Sequence, residues 1–151
     1  MKTIFLDIDG VVHPSDAADV LVTEEGHLRF IGEALFVWNH ILQELVIGKD
    51  VQIVIHSTWR HHYQLHELQN FFPESIRHQV VAVTEGSNRI DSIHRFLSQH
   101  QDIEVFGYVV LDDMLAAFQS NWPNLIACDG LMGISCSTVQ KQIEQFIQSG
   151  S

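Results

Sequence analysis

The stretch Met1-Lys2-Thr3-Ile4-Phe5-Leu6-Asp7-Ile8-Asp9-Gly10 decides how this chain is read. Ile4, Phe5 and Leu6 form a short apolar run of the kind that builds a buried central strand. Asp7 and Asp9 follow in alternation, and Gly10 lets the backbone turn sharply after them. Unpaired carboxylates are costly to bury, so two of them at the end of an apolar strand need a compensating cation. The carboxyl ends of strands in an open α/β sheet are also where ligands bind. A hard cation such as Mg2+, held by carboxylates and substrate phosphate oxygens, meets that requirement. Taken alone, Asp-x-Asp-Gly reads equally well as an acidic loop after a strand.

The rest of the chain decides between those readings. Residues 11–29 carry Pro14 and Gly26 without clear periodicity and read as a loop or small hairpin over the end of the first strand. Leu35, Trp38, Ile41, Leu42 and Leu45 recur at helical spacing and predict a helix over 33–47, stopped by Gly48. Strands are predicted at 51–55, 79–84, 108–111 and 125–128. Helices are predicted at 60–70, 88–100, from Asp113 to about Ser120, and at 137–148. This alternation implies one α/β domain over 1–151, a five-stranded parallel sheet with helices on both faces. Right-handed crossovers then bring all strand ends to one rim. Asp7 and Asp9, Ser57 and Thr58, and Asp112 and Asp113 share that rim, which favours a metal site over an acidic loop.

Composition narrows the function. With 46% hydrophobic and 18% charged residues the balance is globular, and no apolar run approaches the roughly 18 residues of a membrane span. No signal-peptide pattern is present, and the two cysteines, Cys128 and Cys136, make no disulfide framework, so a cytoplasmic setting is expected. Eight basic residues face nineteen acidic ones, and the formal charge of −11 opposes nonspecific nucleic-acid binding through the surface as a whole. A phosphate loop of the Gly-x-x-x-x-Gly-Lys type is absent. His62 and His66 stand four apart beside His61, but no third zinc ligand follows them.

The sequence resembles the haloacid dehalogenase (HAD) superfamily of phosphohydrolases, in particular the small HAD domains of multidomain RNA-repair proteins. The resemblance is carried by Phe-Leu-Asp-Ile-Asp-Gly-Val at 5–11 and by Ser57-Thr58-Trp59-Arg60. Thr84 followed by Arg89, Leu111-Asp112-Asp113, and Gly133-Ile134-Ser135 complete it. It implies a HAD-like Rossmannoid fold and a Mg2+-dependent phosphomonoester hydrolase. Asp7 would be the nucleophile that forms an aspartyl-phosphate, and Asp9 the general acid and then base. Asp7, the main-chain carbonyl of Asp9, and Asp113 would hold Mg2+, with Asp112 ligating it through water or orienting the shell. Ser57, with Thr58 as fallback, would donate to a phosphoryl oxygen; capping the next helix is the plainer role of such a pair. The superfamily's usual lysine is missing, because Lys2, Lys49 and Lys141 all lie elsewhere. Arg89 is the substitute, able to clamp phosphate oxygens in a bidentate way.

Residues 11–30 are too short for a folded lid, so an open site is expected, shaped by the first loop with His13, Pro14 and His27. Trp59 and Arg60 stand beside it as substrate contacts, although core packing is the commoner fate of a tryptophan. An open site suits a small phosphorylated molecule, a nucleic-acid end, or a lid borrowed from a second subunit or a partner protein. Two alternatives stand beside the small-molecule phosphatase: an end-processing phosphatase for nucleic acids, and a low-activity binding or regulatory module.

Overall fold

Strand β1 (Lys2–Leu6) is buried from its second residue onward, as an apolar run flanked by strands on both sides must be. It pairs in parallel with β4 (Val51–Ile55) on one side and β6 (Tyr108–Asp112) on the other. Outside these lie β5 (Val80–Val83) and β7 (Leu125–Ala127), giving a five-stranded parallel sheet in the order β5-β4-β1-β6-β7. The computed structural model describes residues 1–86, 88–114, 122 and 124–149. The helix expected between Asp113 and Ser120 falls almost wholly outside them.

Alternation along the strands divides the core in two. Ile4, Leu6, Ile53, Ile55 and Leu111 pack on one face. There they meet α1 (Asn39–Val46), α2 (Leu65–Asn70), α3 (Glu74–Arg77) and α6 (Ser137–Gln148) through Leu42, Leu68, Ile76 and Ile143. Phe5, Val54 and Val110 pack on the other, against Ile93, Phe96 and Leu97 of α4 (Arg89–Gln99) and Ile103 of α5 (Asp102–Phe106). The ring of Phe5 meets Phe96 and Tyr108 edge to face at 5.7 and 5.6 Å. Helices therefore cover both faces, as expected. No described helix is long and apolar enough to cross a membrane.

Two expected elements differ in detail, and two short helices were not expected. The helix predicted from residue 33 begins at Asn39, because Phe36 adopts φ +56° and interrupts the helical run. The helix predicted over 60–70 is a 3₁₀ turn at Thr58–His61, then α2, whose entry is fixed by the Glu67 carboxylate accepting from the Gln64 N–H at 3.0 Å. The short helices α3 and α5 carry too few residues for periodicity to reveal them. Gly48 ends α1 as expected, with φ +72° just past its last turn.

Chain order runs from β1 outward to β4 and β5, then returns to place β6 and β7 on the other side. The reversal falls between β1 and β6, so the segments leaving these neighbours diverge and open a crevice at their carboxyl ends. The loop after β1 carries an antiparallel ribbon, β2 (Asp19–Val22) and β3 (Leu28–Ile31), paired as Val20 with Phe30. Of the loop or small hairpin expected over 11–29, the structure has the hairpin, whose second strand runs on to Ile31. No larger lid stands between the described elements.

Candidate active site

The register of the sheet sets the site. Leu6 pairs with Ile55 and with Leu111, so the next residue of each strand, Asp7, His56 and Asp112, arrives at the same level. The Asp7 N–H donates to the Leu111 carbonyl at 3.1 Å and the His56 N–H to the Leu6 carbonyl at 3.0 Å, which locks the three side by side. Asp7, Asp112 and Asp113 each offer a carboxylate oxygen, all within 4.8 Å of one another. Asp7 and Asp112 are buried.

Charge in this group is far from balanced. Arg89, the first residue of α4, sits there because Asn88 caps the helix, its side chain accepting from the Asp91 N–H at 3.1 Å. Its Nη1 donates to Asp112 Oδ2 at 2.7 Å and lies 3.3 Å from Asp7 Oδ2. Burial, and then the neighbouring charge of Asp112, push the Asp7 carboxyl well above its ordinary value, against the pull of Arg89. Asp113 is raised as well, first by burial. Burial works on Asp112 in the same direction, but His56 and Arg89 outweigh it and hold Asp112 below the usual carboxylate range. His56 is fully buried, 3.2 Å from Asp112, and burial lowers its own pKa. Burial also opposes the Arg89 charge, yet Asp7 and Asp112 raise its pKa further.

The group fits a hard divalent cation. Its donors are all carboxylate oxygens, the set that suits Mg2+, Ca2+ or Mn2+. Ligand oxygens around Mg2+ stand about 3 Å apart when adjacent and about 4 Å apart when opposite, within the span observed. Asp7 Oδ2 is buried and accepts no hydrogen bond from the described residues, so it retains lone pairs for a cation or an incoming phosphorus. Asp112 has less to give, since Oδ2 meets Arg89 and His56 while Oδ1 accepts from the Met114 N–H at 2.7 Å. That arrangement suits its expected role of orienting the ligands around it.

Asp113 rests between two glycines. A methyl group at Gly10, which has φ +78°, would overlap the Asp113 carboxylate, and one at Gly130 would stand 3.0 Å from it. The Gly10→Ala variant is therefore expected to lose at least 90% of any metal-dependent activity. Its stability should fall by about 1–3 kcal/mol through the forced left-handed backbone. Aryl phosphate hydrolysis with Mg2+ and thermal melts check both.

The other expected residues distribute unevenly. Asp9 lies outside the three-carboxylate group, with a third of its side chain open; Oδ1 meets His13 Nε2 at 2.7 Å and Oδ2 accepts from the Trp59 indole N–H at 3.0 Å. His13 is not at an open rim: it is fully buried, because both ring nitrogens are engaged and Phe36 and Trp59 pack around it. Trp59 is also fully buried, stacked on Phe30 at 4.5 Å, so the core-packing reading holds. The Ser57 hydroxyl caps the 3₁₀ turn, accepting from the Trp59 N–H at 3.1 Å, which leaves its proton to donate elsewhere. Thr58 is exposed.

Arg60 ties the turn to the loop before α4, donating to the carbonyls of Ser57 and Gly86 at 2.8 and 2.7 Å. It also lines a cavity of about 570 Å³ beside the site, with His27, Arg29, His61, His62 and Glu67. Among the described residues no group of three metal-ligating side chains includes His62 or His66. His56 escaped sequence reasoning, although its place directly after the apolar run of β4, matching Asp7 after β1, was the available signal.

A parallel sheet in this order, with Asp7 and Asp9 after the first strand and Asp112-Asp113 after its neighbour, defines a HAD-superfamily domain. Residues 3–139 match the family described as the HAD domain in Swiss Army Knife RNA repair proteins, and the chain belongs to that family. Neither a curated protein nor a solved structure is similar enough to count as a match.

Proposed function

We propose that the chain is a Mg2+-dependent phosphomonoester hydrolase working through an aspartyl-phosphate on Asp7. The observation that carries this reading is the buried Asp7 carboxylate, free of hydrogen bonds at Oδ2, held between Arg89, Asp112 and Asp113. Mg2+ bound by Asp7, Asp113 and the Asp9 carbonyl, with Asp112 orienting the set, would offset the charge of the carboxylates and of the transferred phosphoryl oxygens. Asp7 attacks phosphorus as the bond to the leaving oxygen breaks, and that oxygen takes a proton from Asp9. Water then attacks the phosphorus of the aspartyl-phosphate, passing its proton to Asp9 as the bond to Asp7 breaks and phosphate leaves. Arg89 and the Ser57 hydroxyl hold phosphoryl oxygens through both steps, so most of the acceleration is positioning and charge neutralisation. A cytoplasmic setting fits two free cysteines.

Removal of divalent cations with a chelator is the direct test. Aryl phosphate hydrolysis is expected to fall at least about 100-fold, since several kcal/mol of charge stabilisation are lost at about 1.4 kcal/mol per factor of ten. Mg2+ at a hundred times its dissociation constant should stabilise the fold by about 2.7 kcal/mol, read as a raised Tm. Hydrolysis unaffected by chelation would overturn the metal assignment. Mg2+ binding with no turnover of any phosphoester would instead make the domain a binding module.

One observation favours a nucleic-acid end as substrate. On a chain of net charge −11, two of the eight basic residues and three of the ten histidines line one cavity beside the site. With the family's RNA-repair description, that cavity suits the anionic remainder of a large phosphorylated substrate. Salt-sensitive turnover of a phosphorylated oligonucleotide, much faster than of free nucleotides, would support it. The reverse preference would leave a small molecule, with or without a lid from a second subunit.

A further inference from the structure

The surroundings of Asp9 hold more order than packing requires. Its two carboxylate oxygens face two nitrogens on separate elements, His13 Nε2 at 2.7 Å and the Trp59 indole at 3.0 Å. On its other side His13 Nδ1 accepts from the Phe36 N–H at 3.1 Å. A ring nitrogen that accepts a hydrogen bond carries no hydrogen, so the hydrogen of His13 sits on Nε2 and points at Asp9. Phe36 makes that contact at φ +56°, the sole non-glycine residue with positive φ among those described. Strain of this kind persists only where its surroundings enforce it. Here the Phe36 ring stacks on Phe71 at 4.9 Å and meets His13 and Trp59 edge-on, each at 5.3 Å. Trp59 is itself held by Phe30 and Tyr63 at 4.5 and 5.5 Å.

We propose that His13, Trp59 and Phe36 are positioning residues for Asp9. They form a clamp that fixes the carboxylate rotamer, keeps it out of the Asp7–Asp112–Asp113 group and reserves it for the leaving oxygen. The inference rests on the reading of Asp9 as proton donor given above. The clamp leaves that role open: each oxygen keeps a second lone pair after accepting one N–H, and a third of the side chain is exposed. Two carboxylate bonds from rigid aromatic elements select one rotamer, where an unclamped Asp9 would swing toward a bound cation.

The test uses leaving-group dependence in the full chain, because only a poor leaving oxygen needs a proton as its bond breaks. His13→Phe keeps the ring but removes both nitrogens, and His13→Gln retains an N–H close to the place of Nε2. For His13→Phe, kcat/KM is expected to fall about 100-fold on an alkyl phosphate, the scale of lost general-acid catalysis. On 2,4-dinitrophenyl phosphate the fall should stay within about threefold, and His13→Gln should recover much of the alkyl phosphate rate. Trp59→Phe, which deletes only the donor to Oδ2, should show the same pattern and serves if His13→Phe does not fold. Equal losses on both esters, or no loss on either, would overturn the clamp. Nitrogen-15 NMR of wild type is an independent check: a hydrogen found on Nδ1 of His13 overturns the proposal whatever the activity. A wild type that hydrolyses neither ester would overturn the hydrolase reading instead, and the tautomer would still decide the clamp.

Discussion

Replacing Asp7 with Asn is expected to abolish turnover while making the protein more stable. The amide keeps the size of the carboxylate and can still accept from the Ile8 N–H, which donates to Asp7 Oδ1 at 2.8 Å. It cannot attack phosphorus, so kcat should fall by on the order of 10⁶-fold, the scale seen when a nucleophile is removed. The stability gain follows from the raised pKa of Asp7, caused first by burial and then by Asp112. A carboxyl whose pKa is higher in the folded state than in the unfolded one binds its proton more tightly when folded. It thus costs stability as pH rises from its unfolded pKa, about 3.9, toward the folded value. Asn carries no such penalty. Without divalent cation at pH 7, Asp7→Asn should therefore melt above wild type, and the gap should shrink as pH falls toward 4. Added Mg2+ should narrow it too, because the cation relieves in wild type the repulsion that the amide removes. Turnover surviving in Asp7→Asn would sink the nucleophile assignment.

Arg89→Met should have the opposite effect on stability. The arginine side chain is 18% exposed and faces Asp112 at 2.7 Å and Asp7 at 3.3 Å, both with side chains almost fully buried. Methionine fills similar space but leaves those charges without their cation, and breaking a buried pair from one side costs about 3–5 kcal/mol. Thermal melts without divalent cation should show that loss, and added Mg2+ should restore part of it. Phosphatase activity should fall at least about 100-fold with Mg2+ present, since no guanidinium remains to hold phosphoryl oxygens. Adding Asp112→Asn to Arg89→Met should recover stability without recovering activity. An Arg89→Met protein as stable as wild type would mean that the ion pairs carry no net energy.

Much of this site was legible in the sequence because its residues follow the strands directly. The apolar run Ile4-Phe5-Leu6 identifies the central strand, and right-handed crossovers put Asp7 and Asp112 at one rim. Elimination of the three lysines and a place at the start of the third long predicted helix single out Arg89, which does meet Asp7 and Asp112. What stayed hidden depends on tertiary packing. Phe36 looks like any residue of an apolar helical stripe, and nothing local announces that aromatic neighbours drive it to a left-handed conformation. His13 reads as a rim residue because it stands close in sequence to Asp9, whereas folding turns it inward. His56 has no motif to mark it, since a lone histidine after an apolar strand is common to many folds.

The two-stranded ribbon separates the molecule into a stiff part and a soft one. Asp7 hangs from the central strand, whose amides are tied to neighbours on both sides and open only when the whole domain unfolds. The ribbon pairs with no other described strand, and β2 is exposed along its whole length, with Val20 and Val22 at 58% and 64%. Among the described residues β3 carries the anchors, with the Tyr63 hydroxyl accepting from the Phe30 N–H at 2.9 Å and Arg29 donating to the His62 carbonyl. Gly26, His27, Leu28 and Arg29, at the turn and start of β3, form one wall of the cavity beside the site. One wall of the cavity and the carboxylates thus belong to different parts of the chain, so that a local opening of the ribbon would leave Asp7, Asp112 and Asp113 in place.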